Sequence, residues 1–151
     1  MAFTLYLDTN FVLDMHFQRH ATVSNELKKI IKHQKIRCIS STLTLLEVLT
    51  ALKEEQYIKN KIAERVDFDS IVKDRKNKKF STEGLEKIKQ EFENFNTNYD
   101  FIEILGLEPT SEIWMYIFQI CSNSNIDWAD AIHLLTAISQ NAMYFITRDS
   151  N

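Results

Sequence analysis

At 151 residues, 44% hydrophobic and 26% charged, the chain has the size and balance of one globular domain with a proper core. Its formal net charge of -3 excludes capture of nucleic acid by bulk positive charge, so a polyanion must be held by a local basic patch or by bound metal. Two cysteines, two glycines and one proline exclude a disulfide framework, a zinc-ligand spacing and a glycine-rich phosphate cradle. Asp8 and Asp14 stand where a signal peptide needs an apolar core, and no apolar run approaches membrane-spanning length. A reducing cytoplasmic location and no membrane are expected.

In chain order, Thr4-Leu5-Tyr6-Leu7 is a short apolar run closed by Asp8-Thr9-Asn10, a buried strand passing into a helix. A second helix fits Val23 to His33, with Leu27, Ile30 and Ile31 on one face. Ile36 to Ser40 is the next strand, and Ser41 or Thr42 then caps an apolar helix carrying Leu43, Leu45, Leu46, Val48, Leu49 and Leu52. Residues 54–80 are charged and helical, and Ser81 to Phe95 is amphipathic, with Leu85, Ile88 and Phe92 spaced for one face. Asn94 to Asp100 is a polar turn and Phe101 to Leu105 a third strand. Pro109 and Thr110 open a helix to Cys121, Asp127 opens another to about Gln140, and Met143 to Thr147 is the last strand. Strands alternating with helices predict a three-layer α/β/α fold around a short parallel sheet of four strands, rich in helix. The expected organisation is one domain over residues 1–151, with residues 54–100 a charged helical insertion.

In such sheets ligands gather at the carboxyl ends of the strands, and Asp8 and Asp149 each follow a strand. Asp8 could be a helix cap, although Thr9 or Asn10 would cap as well. Glu47 is the only charged residue between Ser41 and Leu52, and a lone buried carboxylate requires a partner or a metal. Thr44, Glu47, Thr50 and Glu54 could equally form a solvent stripe. Asp127 and Asp130 fit an N-cap and N3 pair, yet their spacing also aligns both carboxylates on one helix face. His133, one turn further on, reads as a packing or surface residue. Asp149 alone reads as a polar terminus. Together, the four acids Asp8, Glu47, Asp130 and Asp149 can converge at one sheet edge, where Mg²⁺ or Mn²⁺ finds the oxygen ligands it prefers.

At these residues the chain resembles the PIN-domain nucleases, among them the VapC-type ribonuclease toxins of bacterial toxin–antitoxin pairs. The matching stretches are Leu7-Asp8-Thr9-Asn10, Leu46-Glu47-Val48-Leu49, Asp130-Ala131-Ile132-His133-Leu134-Leu135-Thr136-Ala137 and Ile146-Thr147-Arg148-Asp149. They span nearly the whole chain in the family's order. The resemblance implies that Asp8, Glu47, Asp130 and Asp149 are catalytic, metal-coordinating acids, with Asn10 and Thr147 as polar supports and Asp127 as an additional acid. It implies in-line hydrolysis of RNA by metal-activated water, leaving a 5′-phosphate and a 3′-hydroxyl. An antitoxin protein is the implied partner. The chain stops just after Asp149, where the family usually continues, as a trimmed C-terminus would.

Competing readings are an aspartate-nucleophile phosphatase, which needs an acid where Asn10 stands, and a PIN-like binding domain without catalysis. A phospho-receiver needs an acceptor Asp after a middle strand, and Phe101 to Gly106 offers none. Two further expectations concern partners. Ile113 to Phe118, with Ile120 and Cys121, is apolar nearly all round, so a homodimer would cover the face not packed on the sheet, unless the helices of residues 54–95 do. Lys73 to Lys79 carries five positive charges against one negative. Such a run is commonly a solvated surface, but Lys76, Lys78 and Lys79 could overhang the pocket and bind substrate phosphates.

Overall fold

The computed structural model describes residues 3–19, 21–34 and 36–148, without the side chains of Ala21 and Lys32. Four parallel strands, β1 (Thr4–Leu7), β2 (Arg37–Ser41), β3 (Ile102–Leu105) and β4 (Tyr144–Ile146), stand in the order β3-β2-β1-β4. Parallel strands require long crossovers, and helices supply them. Helices α1 (Thr9–His16) and α2 (Ala21–Gln34) join β1 to β2. Helix α3 (Thr42–Ala63), α4 (Phe68–Asp74), a 3₁₀ turn (Arg75–Asn77) and α5 (Thr82–Asn98) lie between β2 and β3. Helices α6 (Ser111–Ser124) and α7 (Trp128–Ser139) lead back to β4. Right-handed crossovers running in opposite directions along the sheet put α1 and α2 on one face and α6 and α7 on the other. The result is the expected helix-rich three-layer α/β/α fold.

The chain divides into two compact units, Met1–Leu46 with Asp100–Asn151, and Glu47–Tyr99. The division falls inside α3, ahead of the charged segment that begins at Glu54.

In the first unit β1 is buried throughout and β2 nearly so, as central parallel strands covered on both faces must be. Tyr6 stands in register with Ile39 on β2 and Phe145 on β4. Tyr6, Ile39 and Ala137 of α7 form a buried cluster against which Leu105 and Ala142 pack, and the Tyr6 and Phe145 rings stack at 4.8 Å. Each such buried side chain stabilises the fold by about 1.5–3 kcal/mol. On α1, Val12 and Met15 are buried.

The second unit buries Leu52, Tyr57, Ile71, Ile88, Phe95 and Tyr99. Glu54 of α3 receives both Arg75 and Lys78, the latter at 2.5 Å. Burial would raise the Glu54 carboxyl, but the two cations outweigh it and hold it below its ordinary value.

Helix starts follow their caps: Asp67, Ser81, Thr110 and Asp127 each accept a hydrogen bond from a backbone N–H of the turn they open. With so few glycines, Asn125 (φ 52°) and Asn141 (φ 51°) take the left-handed conformation after α6 and α7, a role asparagine tolerates. Three local expectations are corrected. The polar stretch from Asn94 is not a turn but the end of α5, carried on by buried Phe95 and Tyr99 one turn apart, with rings stacked at 4.9 Å. Ile30 and Leu85, expected on buried faces, are exposed; Ile31 and Ile88 take the buried positions.

Candidate active site

From β1 the chain steps to β2 and β3 on one side, then returns to the other side of β1 as β4. The strand order therefore reverses between β1 and β4, the place where open α/β sheets bind ligands at the carboxyl ends of their strands. Asp8 sits at this point. Its N–H donates to the Ile146 carbonyl at 2.9 Å, extending the β1–β4 ladder by one bond. It also holds the N-cap position of α1 with extended backbone (φ −69°, ψ 153°), yet its side chain makes no capping bond. The carboxylate is buried, at 7% exposure, and engaged elsewhere. Thr147, just past β4, donates its hydroxyl to Asp8 Oδ2 at 2.8 Å, and His133 Nε2 lies 4.0 Å from Oδ1.

His133 is 2% exposed, on the sheet-facing side of α7 with Ala137. Strand alternation turns Tyr6, and beyond it Asp8, toward the same side. The Tyr6 hydroxyl lies 2.6 Å and the Ser41 hydroxyl 3.0 Å from His133 Nδ1. Burial pushes the Tyr6 hydroxyl up to about 12, against hydrogen bonds from Ser41 and Ser40 that lower it. On the other side of the ring, Nε2 lies 3.4 Å from Thr9 Oγ1. Thr9 donates to Thr44 Oγ1 at 3.1 Å, Thr44 meets Ser40 Oγ at 2.7 Å, and Ser40 donates to the Leu7 carbonyl at 2.6 Å. All these hydroxyls lie in the first unit, and each is buried and partnered, which is what makes such a network rigid. A second buried acid, Asp14 of α1, pairs with Arg148, next to Thr147, and has Arg19 at 3.9 Å.

Sequence reasoning missed Tyr6, Ser40, Ser41, Thr44 and Asp14. The available signals were the hydroxyl run Ser40-Ser41-Thr42-Thr44 at a strand end, and an acid flanked by the buried positions Val12 and Met15.

The remaining expected residues are placed as follows. Asp127 caps α7: one oxygen accepts from Ala129 N–H at 2.7 Å and Asp130 N–H at 3.0 Å. Asp130 is exposed on the first turn of α7, three residues before His133. Asn10 is exposed in the first turn of α1. Glu47 is half-buried on α3, at the start of the second unit. Asp149 lies outside the described residues. In the basic run, Lys78 is half-buried and tied to Glu54, while Lys76 and Lys79 are exposed.

Among the described residues, no three His, Cys, Asp or Glu side chains are grouped to hold a metal ion. The donors around Asp8 are carboxylate and hydroxyl oxygens, chemistry that suits a hard cation. Soft ligation has no support here: burial pushes the Cys38 thiol up to about 11, and His133 Nδ1 is occupied by Tyr6 and Ser41.

The fold is thus a parallel α/β sheet with a buried, hydroxyl-supported carboxylate at its strand-order switch. The chain belongs to the PIN domain family, which matches residues 5–151. PIN domains are generally nucleases and usually use divalent metals, so nucleic acid is the substrate class. No curated protein and no solved structure matches the chain. Among the described residues, no helix is long and apolar enough to cross a membrane.

Proposed function

We propose that this PIN domain is a divalent-metal-dependent endoribonuclease, using Mg²⁺ or Mn²⁺, and the toxin of a toxin–antitoxin pair. Asp8, Glu47, Asp130 and Asp149 are its acids. The observation that carries the reading is Asp8, a carboxylate withdrawn from the capping role its position offers and held instead by Thr147 at the strand-order switch. Placing a charge at 7% exposure is costly, and among the described residues no Lys or Arg nitrogen lies within 4.0 Å to offset it. A bound cation would remove that cost, lower the pKa of water and offset charge developing on the scissile phosphate.

Thr147 fixes the direction of the Asp8 carboxylate. Glu47, Asp130 and Asp149 join the set through the motifs that carry the family resemblance. Asp127 serves first as the α7 cap. Lys76 and Lys79, with Lys78 held by Glu54, supply phosphate contacts that release counterions, so binding should weaken steeply with salt. A homodimer through α6 has support in the exposure of Trp114, Met115 and Phe118.

The test is cleavage of single-stranded RNA and DNA by the purified chain with Mn²⁺ or with EDTA. RNA cut only with the metal, leaving 5′-phosphate ends, is expected. Cleavage indifferent to EDTA would overturn the metal mechanism, and preference for DNA would overturn the substrate.

A further inference from the structure

We infer that His133 is a positioning residue for Asp8, a buried imidazole locked by Tyr6 with its Nε2–H turned toward the Asp8 carboxylate. The functional consequence rests on the metal-dependent nuclease reading; the lock itself rests on hydrogen-bond direction. Ser40 donates to the Leu7 carbonyl, so its oxygen accepts from Thr44. Thr44 in turn accepts from Thr9, so the Thr9 proton is already committed. Thr9 Oγ1 can therefore only accept from His133 Nε2, which must carry the ring proton. The other end agrees. With the ring proton on Nε2, the Tyr6 hydroxyl donates into a bare Nδ1 at 2.6 Å.

The opposite tautomer would put a bare Nε2 against a carboxylate and a hydroxyl with no proton left to give. The Tyr6 and Ser41 hydroxyls can rotate to suit either form, so the Thr9 end of the network is the one that rejects it. The direction runs from Tyr6 through His133, Thr9, Thr44 and Ser40 to the carbonyl of Leu7, the peptide immediately before Asp8. The same chain that gives Nε2–H to Thr9, with Oδ1 4.0 Å from Nε2, thus also anchors the backbone that presents Asp8. Thr147, just past β4, holds Oδ2, and His133 on α7 lies 4.0 Å from Oδ1. One oxygen is fixed by a hydrogen bond and the other has the imidazole beside it, the outer surroundings that tune a metal-binding acid.

Two measurements test this. In ¹⁵N-resolved NMR of the parent at about pH 8, above the ordinary histidine range, His133 should carry its proton on Nε2. A proton on Nδ1 would overturn the lock. Mn²⁺ binding followed by electron paramagnetic resonance should then weaken by about 10–100-fold in His133→Met, with circular dichroism unchanged. His133→Gln, whose amide N–H₂ reaches the place of Nε2, should recover most of it. A structural role alone would lower the melting temperature in both variants without separating their Mn²⁺ affinities, and that result would overturn the inference. If His133→Met does not fold, Tyr6→Phe keeps the ring stack and removes only the donor. A partial shift of the His133 proton to Nδ1 is then expected, and an unchanged tautomer with unchanged Mn²⁺ affinity would contradict the proposal. A parent that neither binds Mn²⁺ nor cuts RNA overturns the nuclease reading and this inference together. A parent that does both, with His133→Met indistinguishable from it, overturns this inference alone.

Discussion

Asp8 and His133 show how differently two residues of one site express themselves in a sequence. Asp8 follows an apolar run, and its neighbours Thr9 and Asn10 could cap the helix in its place, so an acid there already asks for another use. Its carboxylate indeed makes no capping bond. His133 gave no such signal because its partner Tyr6 lies 127 positions away, and only the parallel register brings them to one face. Cys38 makes a separate prediction at this scale. Burial raises its thiol from 9.0 to about 11, and likewise raises Tyr6 and Tyr99 from 10.0 to about 12. A group whose folded value is raised contributes stability that is complete below its unfolded value and lost as pH rises through the folded one. Stability should therefore decline above pH 9, and Cys38→Ala should postpone the onset to near pH 10, where the tyrosines begin. Urea midpoints against pH read this directly; parallel curves for parent and variant would contradict it.

At the scale of elements, periodicity and capping residues located all four strands within a residue and the starts of α5, α6 and α7 within two, because the sheet buries apolar runs and the caps are Asp, Ser and Thr. The ends of α5 and α6 run three residues further. Where tertiary packing overrode local preference, the reading failed. Asn94 to Asn98 is poor helix sequence, but Phe95 and Tyr99 are buried one turn apart and hold the helix. The three-residue spacing from Asp130 that made Asp127 a candidate ligand is explained as well by its two capping bonds. Asp127→Ala should cost about 0.5–2 kcal/mol, and Asp127→Asn, which still accepts, only a few tenths. Chemical denaturation checks the first claim and Mn²⁺ titration of the Asn variant the second. Loss of Mn²⁺ affinity at unchanged stability would return Asp127 to the ligand set.

For the whole molecule, composition pointed to a single domain with an insertion over residues 54–100, and the chain divides into two compact units at a boundary that falls within the sequence of α3. No pattern marks that boundary, because α3 keeps helical sequence across it. The apolar character of α6 was plain from its residues, and only Ile117 of that helix is buried. Trp114 is 55% and Phe118 64% exposed, a surface that a monomer in water would seldom keep. Light scattering at micromolar concentration should report a dimer, and Trp114→Ser with Phe118→Ser should return it to a monomer. A monomeric parent would remove the dimer from the account.

The central claim is that Asp8 is the acid on which metal-dependent phosphodiester cleavage turns. Asp8→Asn preserves size and the Thr147 contact while removing one buried charge, so the melting temperature should hold or rise. RNA cleavage with saturating Mn²⁺, measured side by side for parent and Asp8→Asn, should fall by more than about 100-fold, beyond what loss of an outer partner costs. Equal cleavage by the two proteins, at equal stability, would contradict the account.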